Sequence, residues 1–290
     1  MNNRFLEYLS WIPMKVYSKV CGSYFPGVGN KLVIDLNKIG IDDSFNFYVN
    51  DEKEMGSLSS ELRCFRIREP NNLKHYVKFI EKEDVLLDVG AHFGFFSVLG
   101  KKAKKIIAIE PIKECFYLLN KNLKENNLTD KTKVFNLALG NGGYLKMDQE
   151  GSSNLSKVNA KGKIKVKCKD LNYFAENFDT NLLKLDIEGY EYEIFMNQEV
   201  PKKINKITME LHICLIGIEK SREIIEKLYK QGFYVKYLIE DMPLRFYPFI
   251  QWKWLFNKLT WCKEDLNLED ALREIEIGRG IKYVYLVREK

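Results

Sequence analysis

The stretch Leu86-Leu-Asp-Val-Gly-Ala-His-Phe-Gly-Phe-Phe-Ser97 joins apolar strand residues to a loop with one acid and two glycines, which passes straight into an apolar helix. A sheet of the α/β kind binds small molecules outside the carboxyl ends of its strands, and a glycine turn between strand and helix commonly floors that crevice. Gly90 permits the tight turn, and Gly94 lets ligand and helix backbone approach where a β-carbon would clash.

Outward from this loop the pattern stays regular. Short apolar runs at 85–89, 105–109, 134–138, 182–186, 206–211, 234–239 and 281–287 read as strands, with helical periodicity between them. This alternation predicts βαβ units and a doubly wound, mostly parallel sheet. Pro111, directly after the second run, suits a first helical position, and Phe116, Leu119 and Leu123 then recur on one face. Residues 219–230 repeat the pattern, with Ile224, Ile225, Leu228 and Tyr229 inward and Gly232 as the stop. The first 82 residues are less ordered in pattern: an amphipathic start, a hairpin over 31–36 and 45–49, and a helix near 73–80 on which His75 reads as a surface residue. They are expected to be an extension to one domain over 83–290. Two segments break the rhythm, the Gly-, Ser- and Asn-rich 140–162 and the span 241–280, and both read as inserted loops.

The chain has 290 residues, 46% hydrophobic and 30% charged, a composition that fits a globular protein and argues against disorder. Its net charge of +6 is spread along the sequence with acids between the lysines, which describes a solvated surface better than a nucleic-acid track. Cys21, Cys64, Cys115, Cys168, Cys214 and Cys262 stand singly, without the C-x-x-C pairs of zinc or redox motifs, and suit a reducing compartment. The apolar run 5–12 contains Glu7 and stops at Pro13, and no A-x-A-like cleavage site follows. It reads as neither signal peptide nor membrane anchor, so a cytoplasmic location is expected.

The chemistry of the loop separates two cofactors. A dinucleotide site carries G-x-G-x-x-G, whose bare amides face a pyrophosphate that a nearby carboxylate would repel. Here the loop reads G-x-x-x-G with Asp88 just ahead of it, and Glu110 ends the next strand, where a carboxylate can take both hydroxyls of an adenosine ribose. S-adenosylmethionine has no phosphate and brings an ammonium and a sulfonium, which an acidic loop favours. These residues point to a methyl donor.

Five motifs then resemble the FkbM-type methyltransferases: Leu87-Asp-Val-Gly-Ala-His-Phe-Gly-Phe-Phe-Ser97, Ile109-Glu-Pro111, Asn136-Leu-Ala-Leu-Gly140, Lys184-Leu-Asp-Ile-Glu-Gly-Tyr-Glu191 and Glu210-Leu-His212. The resemblance runs from about Asp84 to His212, and its Lys-x-Asp-x-Glu-Gly-x-Glu motif is the more particular one. It implies a Rossmann-like class I methyltransferase sheet with an antiparallel last strand, and O-methyl transfer to sugar hydroxyls of glycans, glycolipids or natural products. It also implies cofactor contacts at Asp88, Gly90, Ala91, His92, Gly94, Ser97, Glu110, Pro111 and Ala138. His92 stands where that family usually has asparagine, a departure that bears on the detail of those contacts.

Methyl transfer to oxygen is an in-line displacement in which the enzyme also manages the hydroxyl proton. Asp186 and Glu188 follow the fourth strand and Glu210 and His212 end the fifth, each pair at the period-two spacing that shares one side of a strand. Two mechanisms fit. His212 can act as a direct general base, or Asp186, Glu210 and His212 can hold magnesium that acidifies the hydroxyl. The spacing matches no dedicated metal motif, so the direct base is the preferred reading.

The aromatic segment 246–256, followed by Trp261, reads as an extra core cluster, a lid over sugar rings, or a belt at a membrane interface beside Arg245, Lys253 and Lys258. The expected partner is a carbohydrate-containing acceptor, with peripheral membrane contact if that acceptor is lipid-linked. A nucleic-acid methyltransferase is the less favoured rival, because the acids at 186–188 would repel phosphates. A non-catalytic adapter with the same fold is the rival from another class.

Overall fold

The computed structural model describes residues 30–50, 58–149, 156–158, 161–240, 261–277 and 280–288. A hairpin of β1 (Lys31–Asp35) and β2 (Ser44–Tyr48) is followed by helices α1 (Leu58–Phe65) and α2 (Pro70–Phe79). The alternating part then runs through β3 (Val85–Val89), α3 (Phe95–Leu99), β4 (Lys105–Ile109), α4 (Lys113–Glu125) and β5 (Thr132–Phe135). Next come β6 (Ala138–Leu139), β7 (Gly143–Gln149), β8 (Ser156–Val158), β9 (Ile164–Lys169) and α5 (Leu171–Phe178). The chain continues with β10 (Leu182–Leu185), α6 (Glu191–Asn197), β11 (Lys206–His212), α7 (Ile213–Ile216), α8 (Ile218–Lys230) and β12 (Phe233–Glu240). Beyond the undescribed 241–260 lie β13 (Trp261–Leu266), α9 (Leu268–Ile277) and β14 (Ile281–Arg288).

Eight strands form the main sheet in the order β13-β12-β14-β11-β10-β3-β4-β5. Strands β3, β4, β5, β10 and β11 pair in parallel. The last strand, β14, is antiparallel to both β11 and β12, as the resemblance implies, and β13 adds a second antiparallel strand at the edge. Chain order runs outward in opposite directions from the β3/β10 pair, to β4 and β5 on one side and to β11 on the other, which makes their carboxyl ends the switch point where such sheets take ligands.

Both faces of this sheet are buried. Leu86, Ile106 and Ala108 belong to one core with the hairpin, α2 and α4, whereas Leu87, Val89, Ile107 and Ile109 belong to the other with α5, α6 and α8. Alternate residues of each strand feed opposite cores, which is why the strands read as unbroken apolar runs.

Three sequence expectations change. The run 134–138 is two strands, because Asn136 leaves the ladder and its amide donates to the carbonyls of Glu110 and Pro111, each at 2.9 Å. Within 140–162, β7 pairs with β9 from Gly143↔Cys168 to Met147↔Ile164, so much of the expected loop is sheet. Gly142 and Gly143, at φ +85° and +75°, form the turn that starts it. The described part of 241–280 is the strand β13 and the helix α9, while the aromatic run 246–256 lies outside the described residues.

The hairpin is fastened to the glycine loop. Phe45 and Phe47 pack on Phe95, with ring centroids 5.8 and 5.4 Å away. Asn122, fully buried on α4, accepts from the Tyr48 amide at 2.6 Å and donates to the carbonyls of Tyr48 at 2.9 Å and Phe93 at 2.8 Å. Replacing Asn122 with alanine leaves those buried groups without partners. We expect a loss of about 2 to 5 kcal/mol in urea unfolding, from the desolvation of unmatched polar groups. Undiminished stability would show that the hairpin is held by its phenylalanines alone.

Candidate functional site

The loop after β3 is shaped by backbone contacts. The amides of Gly90 and Ala91 both donate to the Ile109 carbonyl at 3.1 Å, and the Gly94 amide donates to the Ala91 carbonyl at 2.7 Å. Gly90 has φ +72°, and a β-carbon on it would lie 1.8 Å from the Asp186 carbonyl oxygen, so no other residue fits. Gly94 has φ +86° and abuts Leu119, whose Cδ1 would be 2.6 Å from an added β-carbon. Its glycine serves the packing of the loop on α4. His92, itself at φ +50°, stacks on Phe93.

Glu110 closes the other side of the loop. Its carboxylate accepts from the His92 amide and the Ile112 amide, each at 2.8 Å. Burial pushes its pKa up to about 7, against the pull of those two amides.

A cavity of about 330 Å³ opens here at the carboxyl ends of β3 and β10. Gly90, Ala91, His92, Glu110, Pro111 and Ala138 line it, and Asp186, Glu188, Glu210 and His212 line it as well. All four expected catalytic residues and six of the nine expected cofactor residues therefore meet in one space. The other three, Asp88, Gly94 and Ser97, stand one layer behind. Asp88 is fully buried, accepts from the Ser97 hydroxyl at 2.5 Å and lies 3.4 Å from the Lys184 ammonium. They hold the loop, and their neighbours line the cavity.

The cavity also holds an acid cluster around one imidazole. Nδ1 of His212 lies 2.9 Å from Oε1 of Glu191, which is fully buried at the start of α6. That same oxygen accepts from the amides of Ile187 at 3.4 Å and Gly189 at 3.3 Å, and so closes the turn that carries Glu188 at φ +51°. On its other side, Nε2 of His212 lies 3.5 Å from Glu188 and 3.7 Å from Glu210. Burial disfavours the charged imidazole, but the hydrogen bond to Glu191 and the charges of Glu210, Glu191 and Asp186 outweigh it, and the pKa rises to about 10. Burial also raises Glu210 well above the usual carboxylate range, with Asp186 adding to the effect. Asp186 is lowered despite its burial, because Lys184 and His212 stand beside it.

Three lining or supporting residues escaped the sequence reading. Lys184 sits between Asp88 and Asp186, 3.4 and 3.3 Å from them, and its period-two spacing with Asp186 was the available signal. Glu191 ends a quoted motif, yet its partner is 21 residues away. Arg68 reaches the cavity from the segment before α2, paired with Glu61 and Glu69, and nothing in its local sequence marks it. His75, expected at the surface, is half-buried against Tyr237, its Nδ1 2.8 Å from the Asn71 carbonyl.

The ionisation of Glu110 gives a direct test of the loop. A carboxyl with a pKa near 7 is protonated below that value and loses its capacity to accept from two hydroxyls. S-adenosylmethionine affinity is therefore expected to fall as pH drops from about 8 to about 6. Glu110→Gln should remove that slope and weaken binding by about 1.5 to 3 kcal/mol, the scale for hydrogen bonds to a charged group. Calorimetric titration across pH checks both, and an unchanged slope in the variant would take Glu110 out of the cofactor site.

Comparison with known proteins agrees with this geometry. The model of the methyltransferase FkbM domain matches residues 88–238, more than half of the 290. No curated protein matches the chain. Among solved structures, precorrin 8W decarboxylase of Methanobacterium thermoautotrophicum is 16% identical over 84% of this chain and 97% of that one, with a TM-score of 0.42. M. capricolum TrmK, solved with S-adenosyl-homocysteine, is 10% identical over 75% of this chain and 67% of its own, at 0.42. An rRNA methylase of Streptococcus thermophilus is 8% identical over 77% and 98%, also at 0.42. The glycine loop, Glu110 and the acid cluster all fall inside the matched span, and the chain belongs to the FkbM domain family of S-adenosylmethionine-dependent methyltransferases.

Proposed function

We propose that the chain methylates a hydroxyl of a carbohydrate-containing acceptor: a sugar, glycan or glycolipid. The observation that best supports this is the acid-rich end of the cavity, where Asp186, Glu188 and Glu210 surround His212. Carboxylates there repel a phosphate backbone, which counts against nucleic acid, and they accept hydrogen bonds from a polyhydroxylated molecule. Family membership adds weight to the same reading. Among the described residues no helix is long and apolar enough to cross a membrane. The location we propose is the cytoplasm, at a membrane surface where the acceptor is lipid-linked.

Bound S-adenosylmethionine would supply an electrophilic methyl, whose carbon bonds to the acceptor oxygen as the carbon–sulfur bond breaks and its pair passes to sulfur. The chain's own residues do the rest. Glu110 accepts from the ribose hydroxyls, the backbone at 90–92 shapes the floor, and Pro111 and Ala138 form the wall. Asp88 and Lys184 keep that floor in register with Asp186.

The hydroxyl proton passes to Glu210. This carboxyl lines the cavity; burial and Asp186 raise its pKa, while the charged His212, 3.7 Å away, and Arg68 pull it back toward the ionised form that accepts the proton. His212 is not the direct base that its position suggested, because an imidazole with a pKa near 10 is already charged at neutral pH. Its part is to balance the surrounding carboxylates.

Transfer of labelled methyl from S-adenosylmethionine to a panel of glycans, glycolipids and RNAs tests the acceptor class. Label in glycan is the expected result, and label in RNA alone would sink the reading. Cofactor binding without transfer to any acceptor would favour the adapter. With an acceptor in hand, Glu210→Gln is expected to lower kcat by about 10²- to 10⁴-fold while cofactor affinity stays within about threefold.

A further inference from the structure

Three side chains in the acid cluster bring possible ligand atoms close together. One ligand atom each from Asp186, Glu188 and His212 lies within 4.8 Å of the other two. A six-coordinate cation with bonds of about 2.1 Å separates neighbouring ligands by roughly 3 Å and opposite ones by roughly 4.2 Å, so atoms within 4.8 Å of one another need to draw in to hold one.

The surroundings prepare the imidazole for such a role. A metal-binding histidine commonly gives its other ring N–H to a carboxylate, which fixes the tautomer and aims the free nitrogen at the ion. Glu191 does this for His212 at Nδ1 and leaves Nε2 facing Glu188 and Glu210. Glu210 is an independent sign. It is 7% exposed, lines the cavity and makes no hydrogen bond among the described residues, so a nearly buried carboxylate faces the space with Nε2 of His212, 3.7 Å away, as its ion-pair partner.

We propose that Asp186, Glu188 and Nε2 of His212 form a site for one divalent cation of the manganese or magnesium class, which takes the place of the Nε2 proton of the charged imidazole and keeps open positions turned to the cavity. Two carboxylates and one imidazole make a mostly oxygen set, which suits these ions better than softer ones. The inference deepens the methyl-transfer reading and rests on it for one consequence: the cation would hold the acceptor oxygen, leaving Glu210 to receive the proton. The ligand set differs from the one the sequence offered as its alternative, because the turn at Glu188 brings that residue to the point of convergence and leaves Glu210 beside it.

Manganese binding to the full chain is the test, followed by calorimetry and by the electron-spin signal of the free ion. One ion per chain is expected. Asp186→Asn and Glu188→Gln should each weaken binding at least about tenfold, and Glu191→Gln about 10- to 100-fold through the orientation of His212. Thermal melting confirms that the variants fold, and the conservative Glu188→Asp should recover part of the affinity. No binding at millimolar manganese overturns the proposal. So does binding that all three changes leave intact, which would place the ion elsewhere, as at the His75, Cys262 and Glu264 cluster. Methyl transfer that persists in excess chelator would remove the cation and spare the methyl-transfer reading. Manganese bound at this site in a chain that takes no S-adenosylmethionine would do the reverse.

Discussion

A carboxylate with no exposure to water needs a cation, and in this protein the need of Asp88 organises the site. Asp88 lies opposite Lys184 in the parallel pairing of β3 with β10, and the ammonium sits 3.4 Å from it and 3.3 Å from Asp186. The same ammonium lies over the Phe96 ring at 4.9 Å, while the Ser97 hydroxyl donates to the second Asp88 oxygen. One buried lysine thus joins the end of β3, the start of α3 and the end of β10. The cofactor loop and the acid cluster cannot shift independently while that contact holds. Gly90 tightens the coupling, since only a residue without a side chain lets its backbone pass the Asp186 carbonyl.

From that junction the cavity divides by chemistry. On the loop side, Glu110 is held by two amides, and the surroundings are backbone and small apolar groups, which suits a nucleoside. On the strand side, carboxylates outnumber cations, and His212 is drawn into the charged form by Glu191 and its neighbours. A positively charged methyl donor is favoured between two such walls, and a polyanion is not. Under the proposed reading, one distribution of charge serves both the cationic cofactor and an acceptor without phosphates.

Much of this was legible in the sequence because the central strands are buried on both faces. Every residue of Val85–Val89 except Asp88 is apolar, so the strand and its break at Gly90 stand out without reference to the fold. Asp186, Glu188, Glu210 and His212 were legible for a related reason: a polar residue that ends an apolar run has to face something. What local pattern could not supply was the depth of a residue. Asp88, Gly94 and Ser97 read as contacts because they belong to the loop, yet they act from behind it through Lys184 and Leu119. The state of His212 depends on Glu191, brought close by a turn with a non-glycine residue at positive φ. The sheet of β6 to β9 was masked by its glycines and lysines, whose pairing joins residues as far apart as Gly143 and Cys168.

The central claim is that one cavity seats an adenosine at Glu110 and presents its sulfur to the cluster around His212. A crystal structure with S-adenosylhomocysteine tests it most directly. The account predicts ribose hydroxyls within hydrogen-bonding distance of the Glu110 carboxylate, and the sulfur turned toward the end lined by Asp186, Glu210 and His212. A nucleoside bound elsewhere, or one whose sulfur points away from that end, would contradict it.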